Sequence, residues 1–289
     1  MDELPGGYWD ASGQLHRAFD LAALNGRDEE RLAATIETTS AGLVTEVLSR
    51  CVRRIGDITP VAPEIARQLL VADRHYLLLR LRQATFGDRV TANLFCPWPG
   101  CAERMSIDFS IADVPVEQAR HRAPLHTMTL PAADGSPIDV TFRLPNGADQ
   151  EEVSGSLACN EAAALTLLLS RCIKRIGPHE SPDEHRIAAL SAAARSEIEQ
   201  RMQELAPKVG QAMDATCAEC GRPFTAPFDI QRFFFGELRT DDDVLYHEVH
   251  YLAYHYHWSE HEIMQLSRDK RQKYIEVLAD EIEVLNSGA

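Results

Sequence analysis

The chain has 289 residues, 45% apolar and 25% charged, a composition able to bury a core, and its length suits about two domains at the usual ~100–200 residues each. Its 44 acidic against 29 basic side chains give a net charge of −15, which argues against a protein that coats nucleic acid. No apolar run reaches the ~18–20 residues that cross a bilayer, and the acidic start Met1-Asp2-Glu3-Leu4-Pro5 lacks the pattern of a secretory signal, so a cytoplasmic location is expected.

In chain order the sequence predicts one series of elements twice. Leu48-Ser49-Arg50-Cys51-Val52-Arg53-Arg54-Ile55-Gly56 recurs as Leu169-Ser170-Arg171-Cys172-Ile173-Lys174-Arg175-Ile176-Gly177, an offset of 172 − 51 = 121. Asn25-Gly26-Arg27-Asp28-Glu29-Glu30 matches Asn146-Gly147-Ala148-Asp149-Gln150-Glu151, and Cys96 matches Cys217, in the same register. Each copy is expected to open with a β-ribbon, clearest at 127–130 and 138–144 around the Asp134-Gly135 turn signal. A helix follows at 43–55 or 162–176, with apolar residues at three- and four-residue spacing and an end marked by Gly56 or Gly177. A proline-bearing loop then leads to helices near 63–86 and 183–206, and each copy closes on a cysteine turn between short strands. The expected fold is α+β with helix dominant: repeats at 1–120 and 121–240, then a helical appendage at 241–289.

Cys96-Pro97-Trp98-Pro99-Gly100-Cys101 and Cys217-Ala218-Glu219-Cys220-Gly221 read as metal knuckles, tight turns that set two thiolates on one side with Gly allowing the backbone to turn. Each supplies two ligands, whereas structural Zn²⁺ takes four, so the expectation is one Zn²⁺ shared by Cys96, Cys101, Cys217 and Cys220 across the two copies. The alternative is four reduced thiols without metal. A redox pair is disfavoured because no helix N-terminus is evident there to lower a thiol pKa. Seven cysteines, an odd number, do not suggest a secreted disulfide framework. Cys51 and Cys172 read as core packing, and Cys159 has no counterpart in the first copy.

The appendage holds five histidines between Tyr246 and Ile263. His257-Trp258-Ser259-Glu260-His261 formally fits the H-x-x-E-H zincin pattern, but Ser259 with Glu262 forms a capping-box signature that starts a helix between the two histidines. His247-Glu248-Val249-His250 is one residue short of H-E-x-x-H. The preferred reading is an aromatic docking face of Tyr246, Val249, His250, Ala253 and His257, with Leu252 and Tyr256 beside it and Tyr246, His250, Tyr254, His257 and Trp258 as partner-binding residues. A final amphipathic helix is expected to turn Tyr274, Ile275, Leu278, Ile282 and Leu285 to its apolar side.

The β-strand ending Phe142-Arg143-Leu144, the acidic Asp149-Gln150-Glu151, the Cys51 or Cys172 helix, and Asp73-Arg74-His75-Tyr76-Leu77-Leu78-Leu79-Arg80-Leu81-Arg82 running through Phe86-Gly87-Asp88 to Cys96 resemble the T-even phage family of baseplate hub assembly chaperones, found also in phage-like contractile injection systems. The second copy departs from it, with Ala194-Arg195-Ser196-Glu197 in place of Asp73-Arg74-His75-Tyr76. The tail around Tyr254-His255-Tyr256-His257-Trp258 is similar to very short proteins of contractile-injection gene clusters. The resemblance implies a non-enzymatic bacterial assembly or baseplate protein whose partners are baseplate or hub proteins. The absence of a P-loop, nucleophile elbow or dinucleotide fingerprint agrees with that. Two alternatives are a metal-dependent hydrolase using the tail histidines with Glu248 or Glu260, and a zinc-ribbon nucleic-acid binder, which the charge disfavours.

Overall fold

A computed structural model of the chain describes residues 2–34, 40–131, 136–157, 160–210, 212–240 and 242–287. The Asp134-Gly135 turn, Cys159 and Asp241 lie outside the described residues. The architecture is mixed α+β with helix predominating. In order come β1 (Glu3–Trp9), β2 (Leu15–Leu21), α1 (Gly26–Ala34), α2 (Ser40–Cys51), β3 (Val52–Ile55), α3 (Pro63–Gln68), α4 (Val71–Phe86), β4 (Arg89–Phe95), β5 (Arg104–Ser110) and β6 (Val116–Glu117). The chain continues with β7 (His126–Pro131), β8 (Pro137–Phe142), α5 (Gly147–Leu157), α6 (Glu161–Cys172), β9 (Ile173–Ile176), β10 (His179–Glu180), α7 (Glu184–Ala188), α8 (Ala192–Leu205), β11 (Lys208–Val209), β12 (Ala212–Thr216) and β13 (Pro223–Pro227). Four helices close it: α9 (Ile230–Thr240), α10 (Asp242–Tyr256), α11 (Glu260–Met264) and α12 (Arg268–Ser287).

These elements assemble into two compact units that each draw on separated stretches: Met1–Asp20, Val44–Tyr76 and Pro115–Val209 form one, and Leu21–Leu43, Leu77–Val114 and Gly210–Ala289 the other. The first unit holds the sheets β1-β2-β3 and β10-β9-β8-β7. Along β8 the alternation of strand geometry sends Val140 and Phe142 into a core with Leu169 and Cys172 of α6 and Ile198 and Met202 of α8. The helices expected at 43–55 and 162–176 are shorter than that. Both stop at their cysteine, and Val52–Ile55 and Ile173–Ile176 become strands, the latter pairing Val140 with Ile176 and Phe142 with Ile173. The β-branched ends of each run favour the pleated form once a ribbon edge is there to pair with. The spans 63–86 and 183–206, where helices are expected, each hold two, separated after Gln68 and after Ala188, with Leu69 in extended backbone.

Local bonds recur at the 121-residue spacing (173 − 52) of these strands. Asn25 and Asp28 each accept the other's backbone N–H at the start of α1, and Asn146 and Asp149 do the same at the start of α5. Gly56 N–H donates to the Ala18 carbonyl and Gly177 N–H to that of Asp139, both at 2.7 Å, and both glycines are left-handed (φ 57° and 54°). Arg74 Nη1 donates to Thr45 Oγ1 at 2.9 Å, and Arg195 Nη1 to Thr166 Oγ1 at 3.4 Å. Asp73 has no such twin, since Ala194 stands at its place. Its fully buried carboxylate accepts the Gly6 and Gly7 N–H groups at 2.7 and 3.0 Å, pinning β1 where its register shifts. Burial, only partly offset by those amides, pushes this carboxyl up to about 7.

Asp149 is the best-connected acid of the first unit, accepting Arg143 Nη1 and Nη2, Arg171 Nε and the Asn146 N–H. Burial raises its pKa, but the Arg143 guanidinium and the other donors outweigh this and the net direction is downward. Its stabilisation is therefore present above the ordinary Asp value and lost as pH falls through the lowered one. Asp149→Ala should cost about 2–3 kcal/mol at pH 7 in a denaturant titration, below the ~3–5 of a fully buried pair because the arginine side chains keep 22% and 32% exposure. The deficit should shrink at low pH.

In the second unit Leu245, Val249 and Leu252 of α10 pack on Ile263 and Met264 of α11. The buried stripe of α10 is thus offset from the expected aromatic face: Val249 lies within it, but Tyr246, His250 and His257 are exposed. Ser259 caps α11 through the expected capping box with Glu262. On α12 only Leu278 of the expected apolar side is buried, Ile275 and Ile282 are half-buried, and Leu285 is 74% exposed. The appendage is tied to α1 by Arg271, fully buried, whose Nε donates to Glu248 at 2.7 Å and whose Nη2 donates to both oxygens of Glu29 at 3.0 and 3.1 Å.

A candidate four-cysteine metal centre

Two β-hairpins in the second unit carry the cysteines at their tips. β4 and β5 pair in register from Arg89↔Ser110 to Phe95↔Arg104, and β12 and β13 from Ala212↔Pro227 to Thr216↔Pro223. Immediately past each last pair comes a cysteine, Cys96 N–H bonding to the Glu103 carbonyl at 2.9 Å and Cys217 N–H to that of Arg222 at 3.0 Å. The turns close through left-handed Gly100 (φ 83°) and Gly221 (φ 68°). Among the residues of these four strands only Val90 and Ala226 are buried. Two-stranded ribbons with so little apolar cover are marginal in water by themselves, so contacts at their tips and bases bear on their stability.

The tips bring the four sulfurs together. Cys96 Sγ lies 3.8 Å from Cys220 Sγ and Cys101 Sγ 3.7 Å from Cys217 Sγ, and all four lie within 4.8 Å of one another. A disulfide would need about 2.0 Å, and the cysteines are free thiols. A tetrahedron of sulfurs about 2.3 Å from a central Zn²⁺ has edges of about 3.8 Å. The donor set therefore fits a four-thiolate zinc ion in ligand type, number and spacing. All four residues expected from the sequence are brought together.

The electrostatics agree with a cation site. The amide of Cys220, joined by that of Glu219, pulls the Cys217 thiol down to about 7. Burial pushes Cys96 up. At Cys101 the Glu103 amide favours the thiolate, but burial and the thiols of Cys217, Cys96 and Cys220 prevail and lift it to about 12. The Cys217 sulfur is ready to ionise while Cys96 and Cys101 resist, through burial and because like charges would crowd a few ångströms apart. A divalent ion removes that conflict and releases the protons.

Trp98, which the sequence reading did not single out, braces the two tips. Its indole Nε1–H donates to the Pro223 carbonyl at 3.1 Å, and the Arg222 guanidinium sits 5.5 Å from its ring centre. Farther down, Phe109 and Phe228 meet edge to face at 5.6 Å. Arg82 holds the base of β4 through the Gly87 and Arg89 carbonyls and pairs with Glu237 of α9. Only the Pro-Trp-Pro spacing inside the knuckle hinted at Trp98. Nothing local marks Arg82.

Among the described residues the tail histidines form no comparable cluster. His257 has left the end of α10 in a left-handed conformation (φ 57°), and His261 lies on α11 beyond the Ser259 cap, so the H-x-x-E-H residues are not on one helix. Glu248 is buried against Arg271. Tyr246, His250, Tyr254 and His257 are exposed, with His250 stacked on Tyr254 and the Tyr246 hydroxyl donating to Glu30 at 2.8 Å. Trp258 stacks on Tyr256 and meets Tyr274 edge-on, each at 4.8 Å, and so is drawn into contact with α12.

Fold and site together define an α+β protein with a four-thiol cage able to hold a metal and, among the described residues, no helix long and apolar enough to cross a membrane. The chain matches the family model of the T4 bacteriophage base plate protein over residues 16–235, well over half its length, and it belongs to that family. Its role is accordingly a structural one in a phage baseplate. No curated protein and no solved structure matches it.

Proposed function

We propose that this baseplate-family chain is a non-enzymatic component or assembly factor of a phage tail-like contractile injection particle, made in the bacterial cytoplasm and working by docking protein partners. In this reading residues 1–120 and 121–240 are tandem copies and 241–289 an appendage. One structural Zn²⁺ held by Cys96, Cys101, Cys217 and Cys220 joins the tip of one copy to the tip of the other. The observation that carries the reading is the convergence of two thiols from each half at tetrahedral spacing. The duplication is supported by the matched Asn–Asp caps, the matched left-handed glycines and the matched Arg–Thr bonds at one constant offset. Four thiolates fill the coordination of zinc and leave no position for a substrate, so the ion supplies rigidity alone.

The docking face consists of Tyr246, His250 and Tyr254, continued by His257 and bordered by Trp258. Its support is the 48% and 69% exposure of the two tyrosines on a helix whose other side is buried. Tagged full-length chain, captured from cells producing the particle, should bring down baseplate or hub proteins. Its presence in finished particles identifies a component, and its presence only with unassembled parts an assembly factor. Absence from both contradicts the proposal. Tyr254→Ala with His250→Ala should weaken that capture about tenfold or more, as loss of an aromatic anchor does, while leaving the melting temperature within about 1 °C.

A further inference from the structure

The first unit contains a cavity of about 370 Å³ unrelated to the cysteines and to the appendage, formed where β1 meets the start of β7 and the segment after β8. Its chemistry is uneven in sign. His121, Arg122 and His126 line it, Arg143 lines it with its guanidinium engaged by Asp149, and no Asp or Glu lines it. That is unusual in a chain carrying a net charge of −15. Arg122 is exposed and forms no ion pair among the described residues. Trp9, Leu70 and Leu144 supply apolar wall, and the Tyr8 hydroxyl is held at 3.0 Å by Gln68. His126 Nε2 is shielded from solvent and has no hydrogen-bond partner among the described residues, although its ring packs 5.9 Å from Phe142 and is fixed by the register His126↔Phe142. A shielded imidazole nitrogen left unpaired is unfavourable, and a ligand can supply the missing hydrogen bond. The volume lies in the range of small-ligand sites.

We propose that this cavity binds the carboxylate of an apolar acid, with Arg122 supplying positive charge, His121 a polar neighbour, His126 a hydrogen bond from its Nε2–H tautomer, and Trp9, Leu70 and Leu144 enclosing the apolar body. The C-terminal residue of a polypeptide and a free aryl-alkyl carboxylic acid share this chemistry. Burial, with the nearby charges of Arg201 and His121, holds the His126 pKa below its ordinary value, so near neutral pH the ring is uncharged and donates without competing for a proton.

The test titrates isotope-labelled full-length protein with 3-phenylpropionate, its amide, acetyl-Gly-Ala-Leu and acetyl-Gly-Ala-Leu-amide, following the Trp9 indole N–H and the His126 ring by NMR. Both acids should shift these signals saturably at millimolar concentration, each amide should bind about tenfold more weakly, and the Trp98 and Trp258 indoles should stay still. Arg122→Ala, at an exposed position that leaves the fold intact, should weaken the acids about tenfold. His126→Phe, which keeps the ring against Phe142, should reduce the preference for acid over amide. Tighter binding of the peptide acid identifies a polypeptide terminus as the ligand, and tighter binding of phenylpropionate a free acid. Equal affinity for acid and amide, or no shift at Trp9 with either acid, overturns the proposal and leaves a water-filled cavity.

Discussion

Cys217→Ser is expected to abolish stoichiometric zinc and to lower the first thermal transition by about 10 °C or more. Structural zinc contributes about 10–16 kcal/mol of binding free energy in small finger peptides, and that free energy is folding free energy wherever the site exists only in the folded chain. Here the ion would close a loop between segments more than a hundred residues apart, and the hairpins it joins bury little else: Val90 in one and Ala226 in the other. Serine fills the space of Cys217, which is 1% exposed, but offers a hydroxyl that does not ionise near neutral pH. The site then keeps three sulfurs, and affinity falls even if some zinc remains. A loss of a few kcal/mol corresponds to about 10 °C for a domain of this size, at about 2–4 °C per kcal/mol. A chelator applied to the unaltered chain should reproduce the shift. Cys159→Ser, at a cysteine without a counterpart in the first half, should change neither zinc content nor melting.

The second large effect concerns Arg271. Arg271→Met keeps the length of the side chain but leaves Glu29 and Glu248 facing each other without the buried cation that both contact. Removing one member of a buried ionic group strands the others, at about 3–5 kcal/mol. The appendage should loosen from α1, seen as faster amide exchange along α10 and α12. Glu29→Gln should behave differently. Burial pushes the Glu29 carboxyl above its ordinary 4.5, more than the opposing pull of Arg271 and Arg268 brings it down. A group raised in this way stabilises most below its ordinary value, and that contribution is lost as pH rises through the folded one. Glutamine cannot ionise, so Glu29→Gln should gain on the unaltered chain as pH rises past the ordinary 4.5 and through the raised folded value, and at pH 7 it should cost far less than Arg271→Met. Equal losses from both would contradict this division of roles.

How much of this was legible in the sequence depends on how local each signal is. The four cysteines announced themselves by type, by short spacing within each pair and by the matched place of the pairs, and Ser259 with Glu262 announced a helix start, because each signal rests on a few neighbouring residues. The strands Val52–Ile55 and Ile173–Ile176 were hidden inside a helical periodicity that their own residues continue. They are strands because Phe142 and Val140, far away in sequence, present an edge to the second of them. Arg271 sits in a basic run that reads as a solvated face, and its partner Glu29 is 242 residues distant, so nothing nearby marks it as buried. The tyrosines and histidines of α10 were legible as an aromatic face because they recur at helical spacing, whereas the neighbouring buried stripe of Leu245, Val249 and Leu252 was not singled out, since its packing partners Ile263 and Met264 lie on α11.

X-ray absorption at the zinc edge, on full-length protein purified without added metal, tests the shared cage most directly. One zinc per chain is expected, with four sulfur neighbours at about 2.3 Å and no nitrogen or oxygen ligand. A chain that carries no zinc, or a first shell containing imidazole or carboxylate, would contradict it.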